Sequence, residues 1–372
     1  MTILRPLPSN AENPAQRKVV FFGCSLDSDE KDESIQEKRA FMEAELKGDV
    51  PYSSIMELVR EEVDPRLWEE KGSIEVPAWL SPIPPSTEKE QISVKDFVTF
   101  IDKDGCRRYA DLVGDLIADH IFPQIPCMLA VDHSLTGGAF RRLVGLYSPD
   151  QMSLIVLDSH TDAIPVSIMS DAIRYDIETN KNSVHDPDDP FLVNRAESYN
   201  ACSFLYYLME EGAVEPENLY IIGVSDYPPK RSFRIKDQRI KRYVALYTGL
   251  KKKGVKILTK KDLITNPSKV RALLGGIETP YLYISIDMDI GARNALEAVR
   301  FRNWQGLNER QLYAIADSLM ELLSQGTRLA GMDLTEINPR RTGQNSLSGG
   351  DRTYQIALNL IKKLGFGIKE AR

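Results

Sequence analysis

Histidine is scarce in this chain, with only His120, His133, His160 and His185 among 372 residues. Cysteine is as rare: Cys24, Cys106, Cys127 and Cys202 lie far apart and form no CxxC pair. That spacing argues against a zinc ribbon or a disulfide framework and makes a reducing cytoplasm the expected compartment. There is no run of about 18 apolar residues, so no membrane-spanning helix is expected. The first residues, MTILRPLPSNAENPAQRK, lack the apolar stretch of a signal peptide. An excess of positive charge is also missing. The net charge of −7 argues against general nucleic-acid binding. Repeats and low-complexity tracts are absent too.

What remains is ordinary globular material, 42% hydrophobic and 27% charged, enough for a substantial core. Short apolar runs read as strands at 18–26, 127–131, 153–157, 219–224, 281–285 and 329–334. Helical spacing fills most of the intervals, as in LTGGAFRRLVGLY and NERQLYAIADSLMELLSQG. Strands apolar on both faces and separated by helices imply a largely parallel sheet covered on both sides. The expected fold is therefore α/β, a three-layer sandwich with a largely parallel central sheet. No linker divides the chain, so a single domain over 1–372 is expected, with residues 1–95 irregular and 49–95 least regular of all.

The scarce histidines are not scattered at random among these elements. His133 follows the strand at 127–131. Asp158 follows the next strand and opens DSHTD, in which Asp158, His160 and Asp162 alternate. In extended chain, alternate side chains point the same way. Asp287 and Asp289 repeat that spacing after the strand at 281–285, and Glu336 follows the last strand. Ligands of open α/β sheets bind at the carboxyl ends of the strands, so these residues are candidates for one shared site. Carboxylates held this close resist joint ionisation unless a cation joins them. The inventory exceeds one tetrahedral zinc site. It suits two divalent ions, with manganese the expected metal and nickel or cobalt as alternatives. Two such ions can lower the pKa of a shared water.

The same residues resemble the ureohydrolase family of arginase, agmatinase and formimidoylglutamase. VDHSLTGG, DSHTD, SIDMD and TEINP match four family motifs in order, and the resemblance runs from about residue 125 to the end. It implies an arginase-like fold for the single domain 1–372, with residues 125–372 carrying the family motifs. It implies one metal held by His133, Asp158, Asp162 and Asp287, and a second by His160, Asp158, Asp287 and Asp289. Glu336 would meet a cationic guanidinium or amidine of the substrate, and Asp289 would pass a proton to the leaving amine. The implied activity is hydrolysis of a linear amidine or guanidino C–N bond, agmatinase-like rather than L-arginase. Urea or ammonia would be released with an amine. A small guanidino or amidine compound is the implied substrate, and a homo-oligomer the implied assembly.

Departures from the family pattern matter as much. Ala163, Ile164 and Pro165 follow DSHTD where L-arginase has an asparagine-containing loop. The Asp-Pro expected after the third motif is replaced by DIGARNALEAVRFRNWQGL. The His-Gly that many members use as a proton shuttle is replaced by SYNACSF, leaving His185 in VHDPDDP as the nearby substitute. These changes keep two alternatives open: a related metallohydrolase of another C–N bond, such as an amide, and a non-catalytic metal-binding member.

Overall fold

The structure is a computed structural model. It describes residues 17–368, apart from 47, 190–191, 193–194, 293–294, 304–305 and 343–349. Its centre is one sheet, built from β1 (Val19–Cys24), β2 (Trp68–Ile74), β3 (Ile125–Ala130), β4 (Met152–Leu157), β5 (Leu219–Val224), β6 (Lys256–Thr259), β7 (Tyr281–Asp287) and β8 (Arg328–Thr335). The order across the sheet is β2-β1-β3-β8-β7-β4-β5-β6, and all of its pairings are parallel.

Helices cover both faces. They are α1 (Asp32–Glu43), α2 (Pro51–Glu62), α3 (Val94–Asp102), α4 (Gly105–Leu116), α5 (Leu135–Tyr147), α6 (Val166–Thr179), α7 (Phe204–Glu210), α8 (Gln238–Lys253), α9 (Lys260–Thr265), α10 (Ser268–Leu274), α11 (Glu309–Ser324) and α12 (Thr353–Phe366). The strand sequences explain the layers. In β4, Ile155 and Leu157 join one core with α2, α11 and α12 residues, while Leu154 and Val156 join the opposite core with α4 and α5. A strand that is apolar at every position can bury both faces in this way.

Two strands were not expected. β2 reads WEEKGSI, and its middle residues are exposed at the edge of the sheet. Charged residues suit an edge, where they discourage further pairing, and the same charges hide the strand from an apolar-run search. β6, at the other edge, is four half-buried residues. The region 49–95 is more regular than expected. It holds α2, whose apolar stripe Tyr52, Ile55, Met56 and Val59 is buried, followed by β2.

The central strands end at one edge of the sheet, and the motif residues lie there. Neighbouring strands β3, β8, β7 and β4 deliver His133, Glu336, Asp287 and Asp158 respectively. Close backbone approach supports this edge from below. Gly223, at the end of β5, has φ +117°, and a Cβ there would lie 2.6 Å from the Asp158 carbonyl oxygen. Only glycine fits such a position without strain.

Candidate metal centre

Two overlapping groups of ligand atoms form at the strand ends. In the first, the Nδ1 atom of His133 faces carboxylate oxygens of Asp162 at 2.9 Å, Asp287 at 3.2 Å and Asp158 at 3.3 Å. In the second, Nδ1 of His160 lies 3.0 Å from Asp289 and 3.6 Å from Asp158. Within each group the potential ligand atoms lie within 4.8 Å of one another. Asp158 belongs to both, turning Oδ2 toward His133 and Oδ1 toward His160. Asp287 falls only in the first group, and its Oδ1 accepts a hydrogen bond from the Asp289 backbone N–H at 2.8 Å.

These residues fit a cation. His133 Nδ1, Asp158 Oδ2 and Asp289 Oδ2 are buried and make no hydrogen bond. Buried polar atoms are rarely left unpaired. Three carboxylate oxygens around one imidazole nitrogen form a donor set that a divalent ion satisfies and that a single proton does not.

The residues behind the ligands orient them. The Ser285 hydroxyl donates to Asp333 Oδ1 at 2.7 Å. Its single proton is then committed, so at 2.9 Å it accepts the Nε2–H of His133. That bond selects the tautomer and leaves the Nδ1 lone pair for the ligand cluster. Asp333 is braced in turn by Thr136 at 2.9 Å and Tyr283 at 2.7 Å. Ser159 donates to Asp289 Oδ1 at 2.8 Å. Asp226, just beyond β5, accepts from the backbone and hydroxyl of Thr161 at 3.1 and 2.6 Å and so ties down the DSHTD loop.

Charge shifts follow from this crowding. Burial opposes a proton on His133, but the carboxylates of Asp158, Asp162 and Asp287 override it and raise the imidazole well above its ordinary value. Burial likewise opposes a proton on His160, and Asp289 and Asp158 override it, with a raised result. Burial and the neighbouring charge of Asp158 push Asp162 up to about 8. Asp287 is raised by burial and by the charges of Asp289 and Asp158. Asp158 goes the other way: the two histidines outweigh its burial and lower it. Backbone conformation is also unusual here. Asp162 and Glu336 have φ of 46° and 62°, a left-handed region that side chains seldom adopt and that recurs at functional sites.

His133 is sealed from solvent, whereas the His160 side chain is 41% exposed. It borders a cleft of about 470 Å³ lined also by Ser159, Ser225, Asp226, Phe301, Arg302 and Asn303. The Phe301 ring meets the His160 imidazole edge to face, with centroids 5.6 Å apart.

Glu336 meets a cation of the chain itself. The buried carboxylate was expected to await a substrate cation. Instead its Oε1 accepts from Arg300 Nη1 at 3.0 Å and from the His133 backbone N–H at 3.1 Å. Burial raises its pKa to about 8 even though the Arg300 guanidinium opposes the shift. His185 is not brought into the cluster either. It is exposed beyond α6, near the charge of Asp176. Tyr199, standing where a His-Gly was sought, donates to the Ser134 carbonyl at 2.6 Å, and Asn200 accepts from the Cys202 N–H. Both brace the chain.

Sequence reasoning assigned no role to Arg300, Ser285, Asp333 or Asp226. For Asp226 the signal was available, since it follows an apolar strand as Asp158 does. Asp333 could have been noticed as an acid inside an apolar strand.

A family description, "Arginase family", matches residues 80–366. No curated protein sequence matches. Among solved structures, arginase from Bacillus caldovelox superposes with a TM-score of 0.58 at 17% identity, covering 96% of this chain and 100% of that one. Formimidoylglutamase from Bacillus subtilis gives 0.56 at 15% identity, covering 98% and 96%. Proclavaminate amidino hydrolase from Streptomyces clavuligerus gives 0.55 at 14% identity, covering 95% and 94%.

Proposed function

Since the chain belongs to the arginase family, we propose that it is a binuclear-metal-dependent hydrolase of C–N bonds. The observation that carries this reading is the pair of ligand groups meeting at Asp158. His133, Asp158, Asp162 and Asp287 would hold one ion, and Asp158, His160 and Asp289 the other. Bound there, two divalent ions would lower the pKa of water and polarise the bond to be cleaved.

The chain's own residues supply the rest. Asp289 is held by Ser159 through Oδ1, and its Oδ2 is unpartnered beside the cleft ligand His160. In this reading Asp289 would carry a proton to the departing nitrogen. Phe301 packs edge to face on His160 and lines the cleft with it. Manganese remains the proposed metal, because the donor set is rich in carboxylate oxygen with only two imidazoles. A homo-oligomer and a cytoplasmic location belong to the same proposal. The four free cysteines suit a reducing compartment.

Two substrate readings remain. A linear amidine or guanidine, cleaved to urea or ammonia and an amine, is what the sequence motifs imply. An amide C–N bond is favoured by the Arg300–Glu336 pair, because the carboxylate expected to receive a cationic substrate already holds a cation. Metal analysis of the purified protein, followed by urea, ammonia and amine assays on guanidines, amidines and amides with Mn²⁺ added, tests the proposal. A protein that binds two ions and releases an amine supports it. One that takes up no divalent ion in chelator-free neutral buffer refutes it.

A further inference from the structure

The segment that replaces the expected Asp-Pro after β7 is strapped to the residues following β8. Val299 and Ile337 form an antiparallel bridge. Arg300 N–H donates to the Glu336 carbonyl at 2.9 Å, and Asn338 N–H to the Ala298 carbonyl at 2.9 Å. These backbone bonds fix where the Arg300 side chain starts. Its guanidinium ends within 4 Å of four carboxylates: Glu336 at 3.0 Å, Asp29 at 3.7 Å, Asp132 at 3.8 Å and Asp27 at 3.9 Å. Arg300 is 8% exposed, and Glu336, Asp27, Asp29 and Asp132 are buried as well.

This arrangement is costly to open. A buried ion pair that loses one partner leaves an uncompensated charge in a medium of low dielectric. Swinging Arg300 out to admit a substrate guanidinium would expose that cost at four acids. The arginine also presents what a substrate would present, a planar fork of N–H donors matched to a carboxylate. Two polar atoms of the pair are left over. Arg300 Nε, a donor, and Glu336 Oε2, an acceptor, are both buried without a partner. Further positive charge lies toward the cleft. Arg302 lines it, and Lys31 Nζ sits 4.0 Å from the Phe301 ring centroid.

We propose that Arg300 is a resident guanidinium filling the cation subsite at Glu336, and that the substrate brings to the metal centre a neutral, carbonyl-bearing C–N group, an amide or ureide, in place of a guanidinium or amidinium. This rests on the reading of the site as a C–N hydrolase. In the amide case, the hydroxyl of water ends on the carbonyl carbon and its proton on the departing nitrogen. The products are a carboxylic acid and an amine, and no oxidant or reductant is needed. Arg300 is a specificity-determining residue in this scheme. It withholds Glu336 from cations by occupying its Oε1 with a guanidinium.

Methylguanidine, a small mimic of the excluded cation, is the probe. Its binding to the full-length protein, metal-free and Mn-loaded, is measured by calorimetry and thermal shift for wild type, Arg300→Ala, Arg300→Lys and Arg300→Ala/Glu336→Gln. Arg300→Ala should bind methylguanidine at least about tenfold more tightly than wild type, a difference of about 1.4 kcal/mol. Glu336→Gln in that background should abolish the gain, and Arg300→Lys should resemble wild type. Wild type binding methylguanidine as tightly as Arg300→Ala overturns the inference, and Arg300→Gln, which also removes the resident cation, takes the place of Arg300→Ala if the alanine variant does not fold. Activity separates this failure from failure of the broader proposal. Turnover of a guanidine or amidine by the Mn-loaded wild type overturns the resident-cation scheme while leaving C–N hydrolysis standing. Turnover of amides alone supports both. A two-metal protein that cleaves no C–N compound of either class removes the proposed function and with it the substrate assignment.

Discussion

Replacing Ser285 with alanine should weaken the inner metal site more than the outer one. In the native protein, the Ser285 hydroxyl accepts from His133 Nε2 at 2.9 Å and donates to Asp333 at 2.7 Å. Alanine removes both bonds in a region with no access to bulk water, since Ser285, His133 and Asp333 are all 0% exposed. The Nε2–H of His133 is then an orphaned buried donor, which costs about 1–3 kcal/mol. It also loses its restraint, so the imidazole no longer holds Nδ1 on the ligand cluster. Loss of such a supporting partner commonly lowers metal affinity about 10–100-fold, which is about 1.4–2.7 kcal/mol. The orphaned bond lowers the stability of the fold with or without metal, whereas the lost restraint on the imidazole is what lowers affinity. The assay is stepwise displacement of Mn²⁺ against a calibrated chelator, read for two binding events per chain. His160 shares no bond with Ser285, so the event assigned to His160, Asp158 and Asp289 should move less than about threefold, roughly 0.7 kcal/mol. Equal weakening of both events, or affinity unchanged in Ser285→Ala, would refute the idea that the Ser285–Asp333 pair sets the His133 tautomer.

The remaining expectations concern the ligands, protons and the loop histidine. Asp158→Asn should lower occupancy of both ions, whereas Asp162→Asn should mainly empty the His133 group, as read by elemental analysis after dialysis. Metal affinity should rise between about pH 5.5 and 8.5 with release of protons, because metal-free Asp162 is pushed up to about 8 and both site histidines are raised. For the metal-free fold the sign is the reverse: groups raised in the native state stabilise it at low pH, and that contribution fades as pH climbs through their native values. Asp158, lowered in the native state, acts oppositely, but its contribution is lost only on acidification below the ordinary carboxylate range. Thermal melts with and without Mn²⁺ across that pH window should therefore diverge as pH rises, and parallel curves would contradict the assignment. His185→Ala should keep kcat within about twofold and retain both metals, because the residue is exposed beyond α6; a tenfold fall would put His185 back among the proton carriers at the general acid–base scale.

Much of this molecule was legible from local pattern. Six of the strands are apolar runs buried on both faces, and α5 and α11 follow their helical spacing closely. The metal-suited residues could be chosen because side-chain alternation and position after a strand are short-range properties. Asp158, His160 and Asp162 lie within five residues, and Asp287 and Asp289 within three. The edge strand β2 escaped notice because a strand paired on one side can be charged, and hydropathy then carries no signal.

What the sequence by itself determined is the kind of site: which side chains could gather at a strand-end edge, and that carboxylates and imidazoles in that number suit divalent cations. What only the tertiary structure decided is how the site is completed. The sheet places β8 between β3 and β7, far from chain order, and so brings Asp333 under Ser285 and Glu336 beside the His133 backbone. The strap at Val299 lays Arg300 across Glu336, 36 residues away in sequence, while Asp27 and Asp29 reach the same guanidinium from the loop after β1. Periodicity reports which face of an element is buried. It carries no information about which distant charge will be buried against it, and here that pairing determines whether the carboxylate at the end of β8 is open to a cation.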